Sequence, residues 1–85
     1  MAGYSVDVRK SAVKEIAGLP KRYSRAIIDK IRALGAEPRP HGVEKLSGND
    51  KFRIRHGDYR VVYEIDDTKQ QVTIARVAHR REVYR

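Results

Sequence analysis

The sequence predicts an α+β domain in which an antiparallel sheet of about four strands carries an N-terminal helical hairpin on one face. Three observations predict this fold class. Apolar residues alternate with period two near the N-terminus, they recur at helical spacing over the next 25 residues or so, and period two returns in the second half. The element order is therefore β-α-α-β-β-β. With 85 residues, the chain is expected to form one domain, 1–85, because so small a core cannot be divided.

The first third of the chain predicts a strand followed by two helices. Residues 4–9 alternate between apolar and polar side chains, as in a half-buried strand. Ser11 is placed to cap a short helix with Glu15 in its first turn. A second helix starts at Pro20 and ends at Gly35. Its apolar stripe consists of Tyr23, Ile27, Ile31 and Leu34.

A proline-containing linker, residues 36–42, separates the helices from three further strands. Residues 51–56 and 59–65 each place apolar side chains on one face and polar ones on the other. Gly57-Asp58 between them is suited to a two-residue hairpin turn with glycine at its first central position. A last strand is predicted over residues 71–77.

The register of this hairpin points to a candidate site. A two-residue turn at Gly57-Asp58 sets Arg55 opposite Arg60 and leaves Arg53 on the same face. Facing like charges destabilise a strand pair, and an isolated strand arginine usually serves only to keep an open sheet face soluble. Three arginines together present planar guanidinium groups whose paired N–H donors match the oxygens of a phosphate. The hairpin therefore predicts a phosphate-binding face.

Composition limits the possible partners and sites. The chain has 19 Lys and Arg against 11 Asp and Glu, a net charge of +8, which indicates a polyanionic partner, either nucleic acid or an acidic protein. It has no cysteine, which excludes disulfides and thiolate sites, and three histidines without clustered carboxylates disfavour a metal site. No apolar segment is long enough for a signal or a membrane span, so a cytoplasmic protein is expected.

The C-terminal segment HRREVYR adds further candidates. His79 can exchange a proton near neutral pH, and Tyr84 can stack on a base. Each has an ordinary structural reading as well, since a single histidine is usually a surface residue and a terminal tyrosine usually anchors the chain end. The strand before them is expected to deliver His79, Arg80, Arg81 and Tyr84 to an edge of the same sheet.

The runs KLSGNDKFRIRHGDYRVVYEIDD and VTIARVAHRREVYR resemble the RelE family of toxin–antitoxin ribonucleases, and the resemblance extends over nearly the whole chain. Its most specific parts are Arg53-Ile54-Arg55, the strand from Gly57 to Tyr63 and the ending from His79 to Tyr84. The resemblance implies a type II toxin that enters the ribosome and cleaves messenger RNA without metal or cofactor, using the 2′-hydroxyl of the RNA as nucleophile and leaving a cyclic phosphate. It also implies a complex with a cognate antitoxin.

By this resemblance, Arg53 and Arg55 occupy strand positions that are often lysine in the family, one of which is proposed there to be the general base. Arginine does not deprotonate in proteins, so the proton acceptor is left open. Arg60 matches the arginine that steadies the phosphate, Arg80 is nearest to the arginine of the tail, and Tyr84 matches the tyrosine that orients the substrate. The predicted catalytic residues are Arg53, Arg55, Arg60, His79, Arg80 and Tyr84. The predicted RNA-binding residues are Lys45, Lys51, Arg81 and Arg85.

Two other functions are compatible with the same pattern. A ParE-like gyrase inhibitor would share the fold and need no catalytic residues, and an RNA-binding module would use the same residues without chemistry. The combination of the three strand arginines with His79 and Tyr84 argues for cleavage. Mapping messenger ends after incubation with translating ribosomes separates the three functions.

Overall fold

The computed structural model describes residues 3–46 and 50–82. Over these residues, two helices pack on one face of a five-stranded sheet, which confirms the predicted α+β fold class. The elements in chain order are β1 (Ser5–Val8), α1 (Lys10–Ala17), α2 (Lys21–Ala36), β2 (Glu44–Lys45), β3 (Lys51–His56), β4 (Tyr59–Asp66) and β5 (Gln71–His79).

The sheet differs from the expectation in two details. Its strand order is β1-β5-β4-β3-β2, so it contains a fifth short strand, β2, beside β3. In addition, β1 pairs with β5 in parallel, with Ser5 opposite Gln71 and Val8 opposite Ile74. Alternating apolar residues predict that a segment is a strand but carry no information on its partner or direction. A two-residue strand such as β2 has no detectable period at all.

The core lies between the helices and the covered face of the sheet. It is built from the apolar positions that the sequence periodicity predicts, including Ile27, Ile31 and Leu34 of α2 and Phe52, Ile54, Val61, Tyr63 and Ile65 of the hairpin. The Tyr63 hydroxyl donates a 2.7 Å hydrogen bond to the carbonyl of Pro38, and burial raises the pKa of Tyr63 to about 12. This bond ties the linker to the core because a buried hydroxyl needs a partner.

The start of α1 differs from its prediction. The helix begins at Lys10, Arg9 occupies the cap position without a side-chain hydrogen bond, and no acidic residue lies in the first turn; the predicted cap at Ser11 is therefore wrong. Glu15 instead accepts a 2.8 Å hydrogen bond from the backbone N–H of Val77. Because β1 ends at Val8, this carboxylate satisfies a donor on the part of the β5 edge that β1 does not cover.

The second helix runs one residue past Gly35, to Ala36. Gly35 therefore lies within the last turn, where its lack of a side chain allows β1 to approach. A Cβ atom there would lie 3.0 Å from the carbonyl oxygen of Tyr4 and 3.3 Å from Cγ2 of Val6. The backbone N–H of Tyr4 donates to the Gly35 carbonyl at 2.8 Å. This glycine serves the contact between α2 and β1.

The β3–β4 hairpin follows its predicted register. Arg55 lies opposite Arg60 and Ile54 opposite Val61, and Gly57 in the turn has a φ of +58°, which favours glycine. The pairing of β4 with β5 contains a bulge. Tyr63 is opposite Ile74 and Val62 is opposite Arg76, so Ala75 is the extra residue and the alternation of β5 changes face after it.

Candidate functional site

Four arginines converge at the hairpin end of the sheet face that the helices leave uncovered, the open face. Arg55 lies directly opposite Arg60, and Arg53, two residues before Arg55, points to the same side because side chains alternate along a strand. Arg80 follows β5, and its backbone N–H donates a 2.7 Å hydrogen bond to the Asp58 carbonyl in the hairpin turn. Arg53, Arg55, Arg60 and Arg80 are together called the arginine cluster.

Arg60 is at the centre of this cluster. Partial burial, followed by the positive charges of Arg55, Arg53 and Arg80, lowers the pKa of the Arg60 guanidinium from its ordinary value. Arginine nevertheless stays protonated at neutral pH. The side chain is held in place by hydrogen bonds of 3.1 Å from Nη1 to the carbonyls of Gly57 and Tyr59. A bound anion would relieve the repulsion that the fold imposes here.

One carboxylate, Glu44, reaches into the arginine cluster from β2, where it pairs with Arg53. Nε and Nη2 of Arg53 lie 3.2 Å and 3.1 Å from Oε1 of Glu44. The Arg53 side chain is 14% exposed, whereas that of Glu44 is 58% exposed. The negative charge of Glu44 also acts on Arg60, in the direction opposite to the three arginines. Sequence reasoning missed Glu44 because β2 is too short to be predicted.

His79 borders the cluster rather than lying inside it. It pairs with Tyr59 across β4 and β5, and the two rings meet edge-on with centroids 5.7 Å apart. The bulge at Ala75 turns His79 toward the helices. Nδ1 of His79 accepts a 3.2 Å hydrogen bond from the backbone N–H of Arg81. The neutral ring therefore carries its proton on Nε2.

Two predicted RNA-binding lysines lie outside the arginine cluster. Lys51 is on the same face of β3 as Arg53, two residues before it, but it lies opposite Glu64, and about 13 Å of extended strand separates it from Arg55 at roughly 3.3 Å per residue. Lys45 pairs with Phe52, whose side chain is buried in the core, so Lys45 belongs to the helical side of the sheet.

The remaining predicted residues are in the C-terminal segment. Arg81 is exposed in the turn after β5. This turn is closed by a 2.7 Å hydrogen bond from the Glu82 N–H to the carbonyl of His79. Tyr84 and Arg85 lie outside the described residues.

The arrangement combines fixed positive charge with two groups that exchange protons. The arginine cluster can bind the oxygens of a phosphodiester, Glu44 can accept a proton, and the imidazolium form of His79 can donate one. Over the described ranges 3–46 and 50–82, no three His, Cys, Asp or Glu side chains are grouped so that they could hold a metal ion. No helix in the same ranges is both long enough and apolar enough to cross a membrane.

Comparison with protein families identifies the chain. The sequence model described as ParE toxin of type II toxin-antitoxin system, parDE, matches residues 6–84. The chain belongs to this family of toxins. Toxin RelG of Mycobacterium tuberculosis is 35% identical over 86 residues, an alignment that covers 96% of this chain and 97% of the relative. The resemblance to RelE toxins is therefore confirmed, and the chain is a toxin of RelE/ParE type from a type II toxin–antitoxin system.

Solved structures agree with the fold. The archaeal RelE–RelB complex from Pyrococcus horikoshii OT3 matches with a TM-score of 0.85 and 32% identity, covering 98% of this chain and all of that one. The RelBE2 toxin–antitoxin complex from M. tuberculosis matches with a TM-score of 0.80 and 31% identity, covering 91% of this chain and 98% of that one. Both similarities extend over nearly the whole toxin domain.

Proposed function

We propose that this toxin is a metal-independent endoribonuclease that cleaves messenger RNA on the ribosome and thereby inhibits translation. The observation that carries the proposal is the arginine cluster, in which Arg60 is surrounded by the guanidinium groups of Arg53 and Arg55 on β3 and of Arg80 in the turn after β5. Fixed donors aimed at a phosphate stabilise the charge that develops during phosphoryl transfer. A sheet face needed only for solubility would not set Arg55 opposite Arg60.

In the proposed reaction, the 2′-oxygen of a ribose attacks the adjacent phosphorus while the bond from phosphorus to the 5′-oxygen breaks. The proton of the 2′-hydroxyl passes to a base, and the leaving 5′-oxygen receives a proton from an acid. The products are a cyclic phosphate and a 5′-hydroxyl. The arginine cluster stabilises the negative charge on the phosphate oxygens during this exchange, so the reaction needs no metal ion.

Glu44 is our candidate for the base. Arginine cannot accept the proton, whereas Glu44 is a carboxylate that contacts the cluster through Arg53. Both of these contacts use Oε1, and the side chain is more than half exposed, so substrate can approach it. His79 is our candidate for the acid, because it borders the arginine cluster and its imidazolium form can donate a proton from Nε2.

A cognate antitoxin is the second proposed partner, besides the ribosome with its messenger. The solved relatives from P. horikoshii and M. tuberculosis are complexes of toxin with antitoxin. This chain also has an apolar groove of about 510 Å³ between the helices and β1, lined by residues that include Val8, Ile16 and Ile28. Val13 in this groove is 52% exposed. Such a surface suits the apolar face of an antitoxin segment.

The test is incubation of the purified toxin with translating ribosomes and mapping of the messenger ends. Cleavage at discrete positions on ribosomes, leaving a cyclic phosphate, is expected. Intact messenger that remains bound to the toxin would instead identify a non-catalytic RNA-binding module.

Gyrase inhibition is the alternative that the family description favours, because the matching sequence model is that of ParE toxins. A DNA supercoiling assay tests it directly. Inhibition of gyrase together with intact messenger would refute the nuclease. Cleaved messenger with normal supercoiling would exclude the alternative.

A further inference from the structure

The arginine cluster divides into two parts along the open face. Three of its members gather at the hairpin turn, where Arg55 lies opposite Arg60 and the backbone N–H of Arg80 donates to the carbonyl of Asp58. Arg53 lies two residues farther from the turn on β3, about 7 Å from Arg55 at roughly 3.3 Å per residue. The cluster therefore presents two centres of positive charge, one at the turn and one at Arg53.

A carboxylate occupies the second centre. In the sheet, β3 lies between β4 and β2, and Glu44 of β2 pairs with Arg53. Both Nε and Nη2, which form one edge of the guanidinium, contact Oε1 of Glu44. The third nitrogen, Nη1, is buried. Glu44 therefore lies on the edge of Arg53 that an anion approaching from solvent would use.

The contact between Glu44 and Arg53 is one that a phosphate can replace. The two N–H groups share a single carboxylate oxygen at 3.2 Å and 3.1 Å, whereas strong arginine pairs use two oxygens in parallel at about 2.7–2.9 Å. A phosphate offers two oxygens to this edge. The Glu44 side chain is more than half exposed, and ion pairs of exposed side chains contribute little to stability. The side chain can therefore move away while backbone pairing holds β2 in place.

We propose that the Nε–Nη2 edge of Arg53 binds a second messenger phosphate, which displaces Glu44 when the RNA binds. This second phosphate is the one on the 5′ side of the ribose that carries the attacking 2′-hydroxyl, and we call it the 5′-side phosphate. The phosphate that is cleaved lies at Arg55, Arg60 and Arg80. The inference rests on the proposed function and adds a substrate subsite to it.

The exchange places the proposed base where the reaction needs it. In RNA, the ribose with the attacking 2′-hydroxyl lies between the 5′-side phosphate and the phosphate that is cleaved. Once the 5′-side phosphate holds Arg53, both carboxylate oxygens of Glu44 have lone pairs available beside this ribose. Glu44 then accepts the proton of the 2′-hydroxyl. The base is therefore released only when the substrate occupies both phosphate positions.

The test measures the binding of two trinucleotides in which hydrogen replaces every 2′-hydroxyl, so that neither can be cleaved. One trinucleotide has two phosphates, and the other has an uncharged methylphosphonate in place of the first. For each protein, the ratio of the two affinities gives the contribution of the 5′-side phosphate. Partial unfolding of a variant cancels in this ratio, because both ligands are measured on the same protein.

The variants are Glu44→Gln, Arg53→Gln and the two combined. Glu64→Gln is the matched control, because it removes the same charge from the open face at a residue that pairs with Arg9 outside the cluster. The affinity ratio should be about 3- to 10-fold larger in Glu44→Gln than in the parent, since a neutral amide holds Arg53 less strongly than a carboxylate does. It should fall to about 1 in Arg53→Gln and equal the parental ratio in Glu64→Gln.

The combined variant separates displacement from simple repulsion. If Glu44 acts by occupying Arg53, Glu44→Gln should have no effect on the ratio once Arg53→Gln is present, because the two changes then remove the same contact. An effect of Glu44→Gln that persisted in the combined variant would mean that its charge merely repels RNA, and would overturn the exchange.

Two further results would overturn the inference. A parental ratio in Glu44→Gln would show that the carboxylate does not compete with phosphate, and a parental ratio in Arg53→Gln would place the 5′-side phosphate elsewhere. Since these ligands cannot be cleaved, either result would leave messenger cleavage by the parent, and with it the proposed function, standing. Intact messenger on ribosomes together with the expected ratios would instead refute the nuclease and retain the phosphate site.

Discussion

The two ends of the sheet differ in whether positive and negative side chains balance each other. At the end formed by the β4–β5 turn, Asp67 accepts hydrogen bonds from Arg39 at 3.2 Å and 2.9 Å and from the Tyr4 hydroxyl at 2.7 Å. At the hairpin end, four arginines gather, and Glu44 pairs with one of them, Arg53. The first arrangement balances opposite charges and joins three segments of the chain. The second leaves an excess of positive charge, which the fold tolerates and an RNA phosphate would neutralise.

The largest effect on cleavage is expected at the hairpin end of the sheet, where positive charge is in excess. Arg60→Ala should lower the cleavage rate on ribosomes by about 10²- to 10³-fold, the size seen when one preorganised transition-state donor is removed. Stability should change little, because the repulsion from Arg55, Arg53 and Arg80 disappears together with the hydrogen bonds of the side chain. Messenger cleavage and thermal melting measure the two outcomes. A variant that melts well below the parent, or cleaves at the parental rate, would assign Arg60 to structure.

Glu44→Gln should lower the cleavage rate by about 10²-fold, at the lower end of the range for loss of a general base. The amide oxygen can still accept a hydrogen bond from Arg53, so the variant separates proton transfer from positioning. Glu44→Ala removes both functions and is the matched comparison. If Glu44→Gln cleaves normally and Glu44→Ala does not, Glu44 only positions Arg53. Normal rates in both variants would exclude Glu44 from the site.

A smaller effect is expected at His79, which borders the arginine cluster. His79→Gln should slow cleavage on the order of 10-fold, less than the 10²-fold or more expected for a fully engaged acid, because water can supply the proton in its place. A comparison of messengers with a natural 5′-oxygen and with a bridging 5′-sulfur leaving group checks this role. The sulfur needs no proton, so the defect should disappear on that substrate. A defect of equal size on both would show that His79 is needed only for the packing around Tyr59.

The smallest effect is expected at the end of the sheet formed by the β4–β5 turn, where opposite charges are paired. The Arg39 guanidinium, and next the Tyr4 hydroxyl, hold the pKa of Asp67 below its ordinary value. A lowered carboxyl pKa stabilises the fold above the unfolded pKa of about 3.9, and this contribution is lost as the pH falls through the folded value. Asp67→Asn should therefore lower the melting temperature slightly at pH 7 and have no effect at strongly acidic pH, with cleavage on ribosomes unchanged. A difference from the parent that persisted unchanged into acid would mean that charge is not the cause.

Local sequence patterns were sufficient for much of the fold. Both helices, β3, β4 and the facing pair Arg55 and Arg60 were predictable, because helical and strand periodicities extend over enough residues and a two-residue turn determines the register of the strands it joins. The helix caps were less predictable. Glu15 has the sequence position of a residue in the first turn, but in the fold it binds the Val77 N–H at the edge of β5.

By itself, the sequence determined the fold class, the family, the charge and the juxtaposition of Arg55 and Arg60, all of which depend on residue type and short-range spacing. Tertiary structure decided three other features: the parallel pairing of β1 with β5, the position of Glu44 beside Arg53, and the side of the sheet on which His79 lies. Each depends on which strands become neighbours or on one extra residue in a strand. The bulge at Ala75 shifts the alternation of side chains along β5 by one residue, so that His79 faces the helices instead of the open face. The packing of β5 between β1 and β4, which the sequence pattern does not show, determines where this extra residue is accommodated.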